Sequence, residues 1–245
     1  MRKLELKVGK KSYEVDIPEN WDELNAEQLS AIADITFSKD SDSLIFFRRY
    51  FNIPLDVVNR LDIVQFYTLN SLMGFIREPK AMNHFIAKTI RLHGCGTDGG
   101  YIDVTAPDDK LAGVSFGRFM LIDTYYNWYM ATRKREYAVM LFGAIYKDVP
   151  GHIQFDMASY VNAALLQWSM IRLWLADTYK SLFPEDEDDK PKPKTAAPVI
   201  SNTWIEIFDT LVEDDLTRIE SYKKLQCMDV LRVINRRIRD NRFKK

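Results

Sequence analysis

Two short runs near the start of the chain alternate strictly between apolar and polar positions. Leu4-Glu5-Leu6-Lys7-Val8 is the first and Tyr13-Glu14-Val15-Asp16-Ile17 the second, with Gly9-Lys10-Lys11 between them. A period of two sends successive side chains to opposite faces, so the pattern predicts a β-hairpin, ended by Pro18. The period then lengthens. Asn25-Ala26-Glu27-Gln28 is a capping-box pattern and predicts a helix running to about Phe37. A second helix is predicted from about Asp42 to Phe51, carrying Leu44, Phe47 and Phe51, and Pro54 opens a short helical piece. Asp62 and Gln65 repeat the capping pattern ahead of Phe66, Leu69, Leu72, Met73 and Ile76 at helical spacing.

Residues 85–104 read less clearly. Ile86 to Leu92 suits a strand or a helix end, while Tyr101-Ile102-Asp103-Val104 reads as a strand, with glycines between that suggest a second hairpin. Ser115 is placed to cap a helix bearing Phe116, Phe119, Met120, Tyr126 and Tyr129. Another helix is predicted from about Lys134 to Tyr146. A longer one, capped by Asp156, is predicted to end near Phe183. Its apolar stretch from Tyr160 to Ala176 is interrupted by Asn162, Gln167 and Arg172 and falls short of the ~20 residues a membrane span needs, so it reads as a buried core helix.

The periodicity then stops. Pro184-Glu185-Asp186-Glu187-Asp188-Asp189-Lys190-Pro191-Lys192-Pro193-Lys194 has no apolar residue to bury apart from its prolines, and the prolines forbid a continuous helix. A flexible linker of this size spans roughly 20–25 Å. The pattern resumes with Ser201 or Asn202 as cap to a helix with Trp204, Ile207, Phe208 and Leu211. A final helix is predicted from about Tyr222 to Arg242, with Cys227, Leu231, Ile234 and Ile238. The expected fold is therefore mainly α. It has a multi-helix body with an N-terminal β-hairpin and a second small hairpin over residues 1–183, a linker over 184–200, and a tethered C-terminal helical pair over 201–245. Whether the pair folds back on its own body or reaches a neighbour is left open by the sequence.

Composition narrows the function classes. The chain has 245 residues, a formal net charge of −1 and two cysteines, Cys95 and Cys227. No global field favours nucleic acid, a membrane or an acidic partner, and a near-zero charge fits life inside an assembly. Two cysteines are too few for a disulfide framework and read as reduced thiols. The opening MRKLELKVGKK has no apolar core of a signal peptide. The expected setting is a reducing, cytosolic one.

Several motifs imitate chemistry. Gly94-Cys95-Gly96-Thr97-Asp98-Gly99 matches G-x-G-x-x-G, but a strand follows where a dinucleotide fold needs a helix N-terminus. Gly113-Val114-Ser115-Phe116-Gly117 matches the G-x-S-x-G elbow. The preceding Pro107-Asp108-Asp109-Lys110 is a poor strand, His152 is the only later histidine, and Asp123 or Asp148 would have to complete a triad from a helical region. His84, His93, His152 and Cys95 lack metal-ligand spacing, and the acidic block lacks the glycine turn and closing glutamate of a calcium loop. No cofactor, metal or catalytic residue is expected.

Two sets of residues suit binding instead. Tyr125, Trp128 and Tyr129 belong to an aromatic run that covers all sides of its helix, so part of it must face outward. Trp204, Phe208, Leu231 and Ile234 offer a second apolar contact on the tail. Arg232, Arg236, Arg237 and Arg239 are candidates for phosphate contact, though cations there also complement the helix dipole.

Three segments carry a resemblance. They are the opening hairpin leading into Trp21-Asp22-Glu23-Leu24-Asn25-Ala26-Glu27-Gln28-Leu29; Leu111 to Phe119 with Asp123, Tyr126, Tyr129 and Leu141 to Tyr146; and Asn202-Thr203-Trp204 with Cys227-Met228-Asp229-Val230-Leu231. In layout they resemble phage and prophage proteins from tail-gene clusters of Bacteroidetes-type genomes. The resemblance implies a tail-assembly or tail structural protein, in one form a chaperone of the tape-measure protein. It also implies another protein as partner, no enzymatic activity, and the cytoplasm of a bacterial host or a virion as the setting. A nucleic-acid-associated or head–tail component using the basic last helix is the alternative.

Overall fold

The computed structural model describes residues 1–38, 42–93, 100–146, 157–183, 203–212 and 215–240. Ten α-helices and two antiparallel two-stranded sheets make up these residues, so the chain is mainly α with an N-terminal hairpin. Strands β1 (Arg2–Val8) and β2 (Lys11–Ile17) pair from Arg2↔Ile17 to Val8↔Lys11. The turn is therefore the two residues Gly9-Lys10, not three, and Gly9 takes φ +63°, which a two-residue hairpin favours at that position. Leu6, Val8, Val15 and Ile17 are buried on one face of this hairpin.

Helix α1 (Ala26–Phe37) starts at the full capping box: the Asn25 side chain accepts from Gln28 N at 2.9 Å, and the Gln28 side chain accepts from Asn25 N at 3.1 Å. Helix α2 (Ser43–Phe51) stops at Asn52, whose left-handed φ of 50° suits an asparagine. Helix α3 (Leu55–Val58) follows Pro54, and α4 (Ile63–Leu72) repeats the capping box with Asp62 and Gln65. Strands β3 (Thr89–His93) and β4 (Tyr101–Thr105) form the second hairpin, joined across by Arg91 and Asp103 at 2.8 and 3.1 Å. The glycine-rich G-x-G-x-x-G stretch lies outside the described residues.

Helices α5 (Phe116–Thr132) and α6 (Arg135–Ile145) form a hairpin around Arg133, which turns the chain at φ 58°. Helix α7 (Met157–Thr178) packs against α1 and α6 and carries the centre of the core, with Leu165, Trp168, Ile171 and Leu175 fully buried. Its polar interruptions are each paired. Gln167 accepts from Ala87 N at 2.8 Å and donates to Tyr146 Oη at 2.8 Å, while Tyr146 donates to Ala87 O at 3.1 Å. Asn162 donates to Asp34 at 2.7 Å, and Arg172 bonds Asn127 at 2.6 Å. A buried amide left unpaired would cost about 1–3 kcal/mol, so the closed Gln167–Tyr146–Ala87 ring makes the interruption tolerable. No helix among the described residues is long and apolar enough to cross a membrane.

The C-terminal part is α8 (Thr203–Val212), α9 (Ile219–Lys224) and α10 (Cys227–Arg239), and it lies against the body. The single last helix expected from Tyr222 to Arg242 is corrected to two. Leu225 and Gln226 are extended because their stretch pairs with the chain before α5: Phe116 N donates to Leu225 O at 2.8 Å, and Cys227 N donates to Val114 O at 2.9 Å. These backbone bonds outweigh the local preference to continue a helix. The receiving loop is unusual, with Lys110, Leu111 and Gly113 at φ 55°, 56° and 72°. Leu111 is buried, and its carbonyl accepts from Gln226 Nε2 at 3.0 Å.

Candidate functional site

The α5–α6 hairpin is built at its ends. Ser115 caps α5, its hydroxyl accepting from Arg118 N at 3.3 Å, and such a cap contributes about 1 kcal/mol. Gly113 takes a left-handed turn, and Gly117 meets α9, where an added Cβ would stand 3.1 Å from Lys223 Cβ. The three residues that spell the G-x-S-x-G pattern thus serve a turn, a cap and a close helix approach. Arg118 donates to Ala144 O and Ile145 O at 2.8 and 2.5 Å, closing the C-terminus of α6, and burial lowers its pKa.

Along the outside of this hairpin runs an uncharged ridge. Tyr125 and Trp128 are half-buried, with ring centroids 6.0 Å apart, and Trp128 meets Tyr137 at 5.2 Å. Leu121, one turn before Tyr125, and Met140, one turn after Tyr137, are 51% and 48% exposed. The indole nitrogen of Trp128 has no acceptor among the described residues. Tyr129 points the other way: it is buried beside Phe37 at 6.1 Å, beneath the Arg133 guanidinium at 5.6 Å. The aromatic run therefore splits as its helical spacing requires, and Tyr129 leaves the outward set.

The four tail residues are also corrected. Trp204, Phe208, Leu231 and Ile234 are all buried against the chain's own body. The anchor is Asp123, itself 1% exposed on α5. Its carboxylate accepts from Trp204 Nε1 at 2.6 Å, from Trp168 Nε1 at 3.1 Å and from Asn127 at 3.2 Å, and it pairs with Arg172 Nε at 3.2 Å. Trp204 sits edge-on to Phe119 at 5.0 Å and to Phe116 at 6.1 Å, and Phe208 lies 6.1 Å from Phe116. A groove with an apolar wall and one buried carboxylate thus receives one face of α8 with the indole as its key. Further along, Tyr179 donates to Met228 O at 3.2 Å, and Ser181 N and Leu182 N both donate to Asn235 at 3.1 Å.

Helix α4 carries a surface that the 3–4 spacing did not reveal. Phe66 stacks on Phe47 at 4.5 Å and Leu69 is fully buried, yet Ile63, Val64 and Tyr67 are 71%, 69% and 64% exposed. The missed signal is the lack of any charge from Ile63 to Ile76. A surface helix ordinarily turns charged side chains outward, and this one has none to turn.

The arginines of α10 are mixed with carboxylates. Arg232 pairs with Asp229 at 3.1 Å and Arg239 with Asp240 at 3.4 Å; Arg236 is exposed, and Arg237 borders a cleft of about 220 Å³ with Leu225, Val230 and Val233. A cleft of about 450 Å³ beside the α5–α6 turn brings Arg49, Arg133 and Arg135 together with Asp34 and Asp42, and Asp34 pairs with Arg49. Neither is a single-sign surface. His84 bridges Asp22 at 2.8 Å and Asn83 at 3.1 Å; Cys95, His152, Asp148 and the side chain of His93 lie outside the described residues. Among the described residues no group of three or more histidine, cysteine or acidic side chains could hold a metal ion.

No protein-family model, curated protein or solved structure matches this chain.

Proposed function

We propose that this chain is a non-enzymatic assembly protein of the phage or prophage tail type, acting as chaperone or structural component, and that it binds an apolar helical segment of another protein. The observation that carries this reading is the outer face of α4, where Ile63, Val64 and Tyr67 stand in solvent on a helix without a charged residue. Exposed apolar surface of this kind marks a partner site more often than chance. The ridge of Leu121, Tyr125, Trp128 and Met140 supplies a second uncharged face with the polarizable methionine that suits varied helical clients. The resemblance of the three segments to tail-cluster proteins supports the same class. A hydroxyl at Ser115 that is engaged as a helix cap speaks for structure rather than hydrolysis at the one serine motif.

Co-expression of the full chain with the products of its neighbouring genes tests the reading. The expected result is a complex that survives from about 50 to 200 mM salt and is lost on Val64→Glu. A complex that weakens a thousandfold over that salt range would instead point to phosphate contacts by the basic last helix.

A further inference from the structure

The connection between α7 and α8 is much longer than the gap it closes. The ring of Phe183 lies 6.0 Å from that of Trp204, yet residues 184–202, 19 positions, run between them. A few residues at about 3.5 Å each would cross such a gap, whereas 19 fully extended reach about 65 Å. Surplus length carries a penalty for docking in cis, because effective concentration falls roughly as the −3/2 power of linker length. Charged linkers self-repel and proline-rich ones act as semi-rigid spacers, and this connection carries five consecutive acidic residues and four prolines, at 184, 191, 193 and 198. The contacts that hold the segment all cross between residues 203–240 and the body. Among them are the Trp204–Asp123 bond, the backbone pairing of Leu225 and Cys227 with Phe116 and Val114, and the Asn235 bonds at the end of α7. None of them depends on which copy of the chain supplies the segment.

We propose that residues 203–240 dock in trans on a neighbouring copy when copies are crowded, so that the Asp123 groove is a joint between subunits and its partner is a second copy of this chain. Docking in trans forms the same bonds that leaving the cis groove breaks. The balance is therefore set by concentration, with the crossover where free copies approach the millimolar effective concentration of the tether. Reciprocal exchange closes a dimer, and head-to-tail exchange builds a ring or an open chain. This joint is separate from the α4 face and stands or falls without it.

The close approach of Gly117 and Lys223 provides the test. An added Cβ at Gly117 stands 3.1 Å from Lys223 Cβ, near the ~3.5–4.5 Å of a disulfide. Gly117→Cys and Lys223→Cys are placed on separate full-length chains, each with Cys95→Ser; Cys227 stays, since burial pushes its thiol up to about 12. Oxidised together at about 1 mM, the two chains are expected to form a 117–223 heterodimer. Its yield should fall at least tenfold at about 1 µM, where the tethered cis segment outcompetes a free copy. The inference is overturned if one chain bearing both cysteines closes internally while the mixed chains form no heterodimer at about 1 mM. Should the cysteine variants fold poorly, sedimentation of the chain without added cysteines decides: association that grows toward 1 mM and is lost on Trp204→Ala supports the joint, and a monomer throughout, or association that Trp204→Ala leaves intact, overturns it.

Discussion

Helices α4 and α8 begin from the same kind of sequence and end in opposite places. Each is ten residues long with aromatic and aliphatic residues at helical spacing. In α8 the apolar residues Trp204, Phe208, Leu211 and Val212 are buried, and Glu206 and Asp209 lie on the exposed side. In α4 only Leu69 is buried, and Ile63, Val64 and Tyr67 face solvent. The difference lies in what stands opposite the inward stripe. Charge on the far side gives a helix one solvent face and therefore one orientation, whereas a helix apolar on both sides satisfies its own core and still has a face to offer. Within one chain the apolar stripe of α8 is already covered, whereas the outer face of α4 stays exposed.

The contrast breaks most visibly at Trp204. Trp204→Ala removes the indole that Asp123 holds and the ring packed on Phe116 and Phe119, so a loss of about 3–5 kcal/mol is expected in denaturant unfolding. A loss below about 1 kcal/mol would mean that α8 is not held by this groove. A smaller effect is expected from alkali. Burial raises the Cys227 thiol from 9.0 to about 12, so the unfolded chain ionises first; the stability from keeping the thiol neutral is whole below pH 9 and declines as the pH climbs toward 12. Unfolding midpoints measured from about pH 8 to 11 should fall, with a shallower slope in Cys227→Ala. The smallest effect belongs to α4: Tyr67→Glu should change stability by no more than about 0.5 kcal/mol, because the side chain is 64% exposed. A large destabilisation there would show that the face is covered within the chain.

Much of the fold is readable because its signals are local. Asn25 with Gln28 and Asp62 with Gln65 write their helix starts within four residues, and Ser115 does the same for α5. The break at Leu225 and Gln226 is not readable. It depends on pairing with residues more than a hundred positions earlier, and nothing near 225 forbids a helix. The binding surfaces are half readable: periodicity separates Tyr129 from Trp128, but it cannot place Trp204 or Leu231, because an apolar stripe looks the same whether its own body or another chain covers it. Asp123 stands out in the sequence only as a poorly placed triad member, since the two indoles and Arg172 that give it a role are 45 to 81 positions away.

The loop at 110–113 adds a consequence of its own. A left-handed leucine costs about 1–2 kcal/mol, and Leu111 holds that shape while its carbonyl bonds Gln226 and its side chain is covered. Without the segment the loop loses a bond that offsets this cost. Seat and segment therefore hold one another's shape, and a substitution at Gln226 is expected to be felt in the loop at 110–113.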